Sequence, residues 1–341
     1  MRPCAACPFM TMLPSWAHPL CRACLDPVYQ LCGPGAGTPR GPGRAGRTHS
    51  RTTGAAHLPS SLGGHAHRMS VDGFFEVRWW WKSRAVRVAV VDRTALPAAR
   101  RAVARRLAGL RAVDLELARA HRAAGRPVPV GPLLRDLVAV SLGAAEATGG
   151  LVDPTVGAAR LRRSVIPLPA CGSAWGRVDR GGDWRAVSLR GNLLAVPPPL
   201  WLDLGGTAGA YLVQRCAEQV AARYGTGVLV AVGSRVAAAG PAPAGGWRVA
   251  HGPATLTDGA LVTADVLRPD GGGVRDARTG AAPDSPWAAV TVAAPDAARA
   301  AMLAVAALAR GADGPGWLAG QGVRAWPRTR RTALPQLATR W

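Results

Sequence analysis

The sequence predicts an α+β fold with mixed or antiparallel sheets and packed helices. Three observations lead there. Two long stretches carry apolar residues at helical spacing, and several short runs carry strand character. The two kinds mix without the strict strand–helix–strand order that a parallel sheet demands. The chain has 341 residues, 48% hydrophobic and 18% charged, so it can bury a core and global disorder is excluded.

Residues 1–68 read as a disordered extension. Pro, Gly, His and Cys crowd there, and no apolar period persists. Cys4-x-x-Cys7 and Cys21-x-x-Cys24 have the spacing of a zinc knuckle, yet no strand-like or hydrophobic residues brace the pairs. Upstream sequence translated from a mis-chosen start is the alternative. The folded domain is expected from Met69 to residue 326.

Within it, residues 85–91 alternate in part and predict a strand. Residues 97 to about 123 predict a long helix, buried along Val103, Leu107, Leu110 and Val113. A second helix is predicted over 132–147, with Pro132 at its start and Gly149-Gly150 beyond its end. Residues 165–196 break into short apolar pieces split by Gly and Pro, as strands and loops do. A helix follows a Gly-rich turn over 206–223, then a buried strand over 227–232. Strands are predicted at 247–250 and 288–293, a helix at 297–310 and a last short strand at 323–326. Residues 327–341, with Arg328, Arg330, Arg331 and Arg340, read as a solvated basic tail.

The net charge of +22 suggests a polyanion at first sight. Lys82, however, is the single lysine among 42 basic residues, and the arginines spread along the whole chain. A polynucleotide groove clusters its cations and interleaves aromatics, so no nucleic-acid partner is expected. No apolar run approaches the roughly 20 residues of a membrane span, so no transmembrane segment is expected. Pro3, Pro8, Pro14 and Pro19 interrupt the first residues, and no secretory signal is expected. Seven cysteines are an odd number, and Cys171 and Cys216 stand alone after the N-terminal group. A disulfide framework is not expected, and a cytoplasmic location is.

Four segments in order carry the chemistry. They are TGGLVDPTVG at 148–157, LDLGGTA at 202–208, VAVG at 230–233 followed by Gly240 and Trp247, and DARTG at 276–280 followed by a Val-Thr-Val strand and an Ala-rich helix. Together they resemble the ApbE family, the FAD:protein FMN transferases, over roughly residues 70–326. The family pattern runs G-G-x-F-D-P-T-V-G, D-L-G-G-x-A-K-G-Y, N-x-G-G-D, H-x-I-D-P-x-T-G and A-D-A-x-x-T. Residues 114–121 match its D-S-E-L-S-R-L-N loosely, with His121 in the last place.

The resemblance implies an ApbE-like fold and FAD as substrate. It also implies a Mg²⁺ ion, a flavoprotein acceptor domain, and transfer of FMN to an acceptor threonine with release of AMP. Such transfer crosses a pyrophosphate. It needs phosphate charge to be neutralised and backbone N–H groups to approach closely. Gly205-Gly206 before a helix has the form that supplies the second. By resemblance Leu151, Val152, Asp153 and Asp203 contact FAD, with Gly205, Gly206 and Arg275 in the same set. The Gly206 backbone oxygen falls where Mg²⁺ is held. From the residues alone, Asp153 reads equally as a turn residue before Pro154, and Asp203 as a helix-proximal cap.

The departures from the pattern fall on the chemistry. The metal-ligating Asp becomes Ala301, a second Asp found in some members becomes Ala304, and the ligating Thr becomes Val305. The family lysine falls at Gly209, and the acidic strand end becomes Arg235. The alternative expectation is therefore a catalytically silent flavin-binding relative. Trp79-Trp80-Trp81 could stack a flavin ring or pack the edge of a core, and His251 reads as a loop residue.

Overall fold

The computed structural model describes residues 68–69, 73–157, 182–253, 255–268 and 273–330. The expected extension except Arg68, both cysteine pairs, residues 165–181 and the chain from residue 331 lie outside the described residues.

The chain opens with β1 (Arg68–Met69), β2 (Phe75–Trp81) and β3 (Arg84–Val90). Then come α1 (Leu96–Arg122), β4 (Val128–Pro129), α2 (Pro132–Ala147), β5 (Ser188–Arg190) and β6 (Leu193–Ala195). Next are α3 (Ala208–Tyr224), β7 (Val228–Val232), β8 (Arg235–Ala239), β9 (Trp247–Arg248), β10 (Thr255–Leu256) and β11 (Gly259–Asp265). The described part ends with β12 (Trp287–Ala294), α4 (Ala297–Ala309), α5 (Gly314–Gly320) and β13 (Arg324–Thr329).

Eight strands form one sheet in the order β1-β2-β3-β7-β8-β11-β12-β13. Each of its ladders is antiparallel. A three-stranded sheet orders β4-β6-β5, and β9 pairs with β10. The α+β prediction therefore holds, with antiparallel sheets.

Period-two alternation sorts the strands between two cores. Val86, Val88 and Val90 of β3 and Val228 and Val230 of β7 are fully buried in a core with residues of α1, α3 and α4. The intervening Ala89 and Leu229 point to the other face, where they meet Phe74, Trp247 and Leu256. Each such buried valine contributes roughly 1.5–3 kcal/mol. Helix α3 packs on β7 and β8, and α4 packs on β11 and β12. A further core joins the second half of α1 to α2 and β6 through Val113, Leu134, Leu137 and Leu194.

Local chemistry fixes the helix ends. Asp296 caps α4 by accepting from the Arg299 N–H at 2.7 Å. Gly225 closes α3 at φ 60°, a conformation glycine adopts without penalty. None of the described helices is long and apolar enough to cross a membrane.

The expected bounds need some correction. Strands β2, β8 and β11 and helix α5 go beyond the sequence prediction. The last strand runs past residue 326 to Thr329, because Pro327 and Arg328 pair with Val290 and Ala289 of β12. The basic tail therefore does not start at 327.

Candidate functional site

One cavity draws together two of the four sequence segments and the Ala-rich helix that follows the fourth. The loop after α2 supplies Leu151, Val152 and Asp153, and the turn before α3 supplies Asp203, Gly205 and Gly206. Arg275 lies in the wall as well, so all seven predicted binding residues meet there. Helix α4 contributes Ala301 and Val305, while Ala304 is fully buried and is not among the lining residues.

Both aspartates hold backbone in shape. Asp153 is buried, and its Oδ1 accepts from the Thr155 N–H at 2.7 Å and from the Thr155 hydroxyl at 2.6 Å. Asp203 Oδ1 accepts from the Gly205 N–H at 2.8 Å and caps a 3-10 turn, Leu204–Gly206. The cap reading of Asp203 and the turn reading of Asp153 are thus real, and both residues still face the cavity. Beneath them, the Thr207 and Ser141 hydroxyls bond at 2.7 Å and tie the start of α3 to α2.

His121 steadies the same segment from behind. Its Nε2 accepts from the Leu202 N–H at 3.0 Å, and its ring stacks on Trp201 with centroids 4.0 Å apart. Burial drives its pKa down to about 4, so the ring is neutral at pH 7. Since Nε2 accepts, the ring hydrogen sits on Nδ1. This places the residue that ends the loosely matched 114–121 stretch one step from the Asp203 turn.

The lining is rich in charge. Arg84, Arg235, Arg268 and Arg275 share it with the carboxylates of Asp153, Asp203 and Asp265. Burial pushes the Asp265 carboxyl up, against the pull of Arg268, Arg328, His251 and Arg235. Arg235 opens β8 directly after the Gly233-Ser234 turn, and its Nη2 donates to the Gly205 carbonyl at 2.9 Å. Desolvation, then repulsion from Arg84 and Arg268, lowers its pKa to about 10, which leaves it charged at neutral pH. No local pattern in the sequence marks Arg84, Arg268 and Asp265 as site residues. Their signal is spatial, because strand pairing brings β3, β8 and β11 to one edge of the cavity.

These donors do not fit a Mg²⁺ ion, which takes an octahedron of oxygens. Ala301 and Val305 offer methyl groups in place of side-chain oxygens, and a guanidinium sits on the Gly205 carbonyl, next to the Gly206 oxygen expected to hold the ion. Among the described residues no group of three or more His, Cys, Asp and Glu is placed to hold a metal. Thr291 bonds to Thr263 at 2.8 Å and Asp296 caps α4, so neither substitutes for the missing ligands.

Other expected residues resolve away from the cavity. Trp79 and Trp81 pack against the core, and Trp80 is 67% exposed on β2; none of the three lines the site. They therefore follow the core-edge reading. His251 is exposed in a loop, and Asp276 of the fourth segment bonds Arg278 outside the cavity wall.

Solved structures share this architecture. A flavinyl transferase ApbE from Pseudomonas stutzeri, in its apo form, superposes with a TM-score of 0.63 at 21% identity, covering 77% of this chain and 95% of its own. The flavin transferase ApbE from Vibrio cholerae gives 0.62 at 18% identity, over 74% and 93%. An ApbE protein from Thermotoga maritima gives 0.59 at 20% identity, over 74% and 94%. Among curated proteins none matches significantly. The model of the ApbE family matches residues 86–326, from the third strand of the large sheet to its last, and the chain belongs to that family.

Proposed function

We propose that the chain binds FAD in this cavity and has lost the rapid Mg²⁺-dependent transfer of FMN to a threonine. Family membership and the aspartate-capped Gly205-Gly206 turn support the binding half. The observation that carries the second half is the wall of α4. Ala301 and Val305 present carbon where a cation would need oxygen.

Transfer would form a bond from a threonine hydroxyl oxygen to the FMN phosphorus. It would break the pyrophosphate P–O bond, release AMP and hand the hydroxyl proton to a base. The departing AMP carries charge that preorganised cations must stabilise. Loss of one such element typically lowers the rate about 10²–10³-fold. Here the side-chain ligands are absent together, so binding survives better than chemistry.

The test incubates the protein with FAD, Mg²⁺ and a threonine-bearing flavoprotein acceptor domain, and reads in-gel flavin fluorescence beside a flavin titration. Saturable FAD binding with no labelling is expected. Robust labelling would instead establish an active transferase with a rebuilt site, the reading that the ordered run of family segments favours.

A further inference from the structure

The two departures at Gly209 and Arg235 are one structural event. A Cβ added at Gly209 would stand 2.9 Å from Cδ and Nε of Arg235 and 3.2 Å from its Cζ. The guanidinium stem therefore runs through the space that any side chain at position 209 would claim. Glycine there is what lets Arg235 reach the Gly205 carbonyl.

The arginine is held firmly at its base. Its Cα is paired with Val232 on one side and Val262 on the other. Next to it, the Ser234 hydroxyl donates to the Thr263 carbonyl at 2.9 Å, and the Thr263 N–H donates to the Ser234 carbonyl at 3.0 Å. At its tip, Nη2 has its partner, whereas the Nε–H is out of contact with water and has no hydrogen-bond partner among the described residues. Burying that charge is unfavourable, and an anion drawn to the guanidinium at the cavity wall would offset the cost.

We propose that Arg235 is the built-in cation of this cavity, so that the chain takes a diphosphate ester, as in FAD or ADP, without a divalent ion. The proposal rests on the reading of the cavity as an FAD site. It adds that recognition falls on the diphosphate and is indifferent to metal. Arg84, Arg268 and Arg275 in the same wall supplement the charge. A guanidinium suits this task, since its planar fork pairs two phosphate oxygens and, unlike Mg²⁺, it cannot be removed by chelation.

Binding is measured by calorimetry on the full chain with FAD, ADP, inorganic pyrophosphate and riboflavin, in EDTA and in MgCl2. Affinities for FAD, ADP and pyrophosphate should be at least as high in EDTA as in MgCl2, where the ion competes for the free diphosphates, and riboflavin should bind far more weakly than FAD. Arg235→Ala should weaken ADP and pyrophosphate by about 10- to 100-fold, the scale of a charge-assisted bond. Gly209→Ala keeps the arginine but pushes it aside. It should weaken the same ligands with an unchanged melting temperature, which separates displacement from misfolding.

An affinity that collapses in EDTA overturns the proposal. So does Arg235→Ala with unchanged or tighter binding, the signature of a plug rather than a cation. FAD bound independently of Arg235 would overturn this inference alone and leave the FAD site standing. Failure of all four probes would overturn both.

Discussion

Replacing His121 by Asn should flatten the acid sensitivity of the fold. In the native protein the neutral ring accepts from the Leu202 N–H, and burial holds its pKa near 4, below its ordinary 6.5. Between those values the unfolded chain binds a proton that the native chain refuses. Stability is therefore complete above about pH 6.5, falls as pH drops through the window, and stops falling from this source below about 4. At 1.36 kcal/mol per unit, a drop from pH 7.5 to 4.5 removes about 2–3 kcal/mol. Asn, the residue of the family pattern at this place, can accept the same hydrogen bond and does not titrate. Its smaller side chain forfeits the Trp201 stack, so a constant loss of roughly 1 kcal/mol at both pH values is expected. Urea unfolding followed by tryptophan fluorescence at the two pH values gives four free energies. The difference of differences isolates His121, because acid groups far from it shift both proteins alike. Equal losses in native and variant protein would refute the reasoning and mean that the ring charges without leaving its place.

Three further outcomes are expected. Ala301→Asp with Val305→Thr should raise flavin labelling of an acceptor only slightly and only with Mg²⁺, since Arg235 remains beside the cavity; no rise, or a rise that survives EDTA, would count against the site geometry. Asp276→Asn should cost about 1 kcal/mol at pH 7, measured by chemical denaturation. Burial alone would raise the Asp276 carboxyl, but the hydrogen bonds from Arg278 outweigh it and hold the pKa below its ordinary 3.8. That contribution is present above 3.8 and is lost as pH falls below it, and the exposure of Arg278 keeps it small. Trp247→Ala should destabilise by about 3–5 kcal/mol in thermal or urea melts, because the ring is fully buried against Phe74 with centroids 5.5 Å apart.

Much of the fold is legible in the residues. The second helix runs from Pro132 to Ala147, as its proline start and glycine stop require, and Val103, Leu107 and Val113 are buried as their spacing demands. What escapes is strand built from small residues. RVAAA in β8 and GALVTAD in β11 carry little β-propensity, and their extended form comes from neighbours on both sides. Similarly, the triple tryptophan draws the eye as a cluster, while its register with Val86, Ala85 and Arg84 makes it part of an ordinary strand, β2 of the large sheet. The cavity shows the same division. Leu151 to Asp153 and Asp203 to Gly206 lie in local motifs and are named through their resemblance to the family pattern. The collision course between Arg235 and Gly209 is set by the β7–β8 hairpin passing over the first turn of α3, which one-dimensional spacing does not encode.

That close approach also constrains how the lineage could change. A side chain restored at 209 while arginine stands at 235 enters occupied space, with the first clash already at its Cβ. Loss of Arg235 while glycine stays at 209 strips the Gly205 carbonyl of its donor and opens a void along the former stem. The two positions are therefore coupled: what position 209 tolerates depends on where the Arg235 side chain lies, so the effects of substitutions at the two should not add.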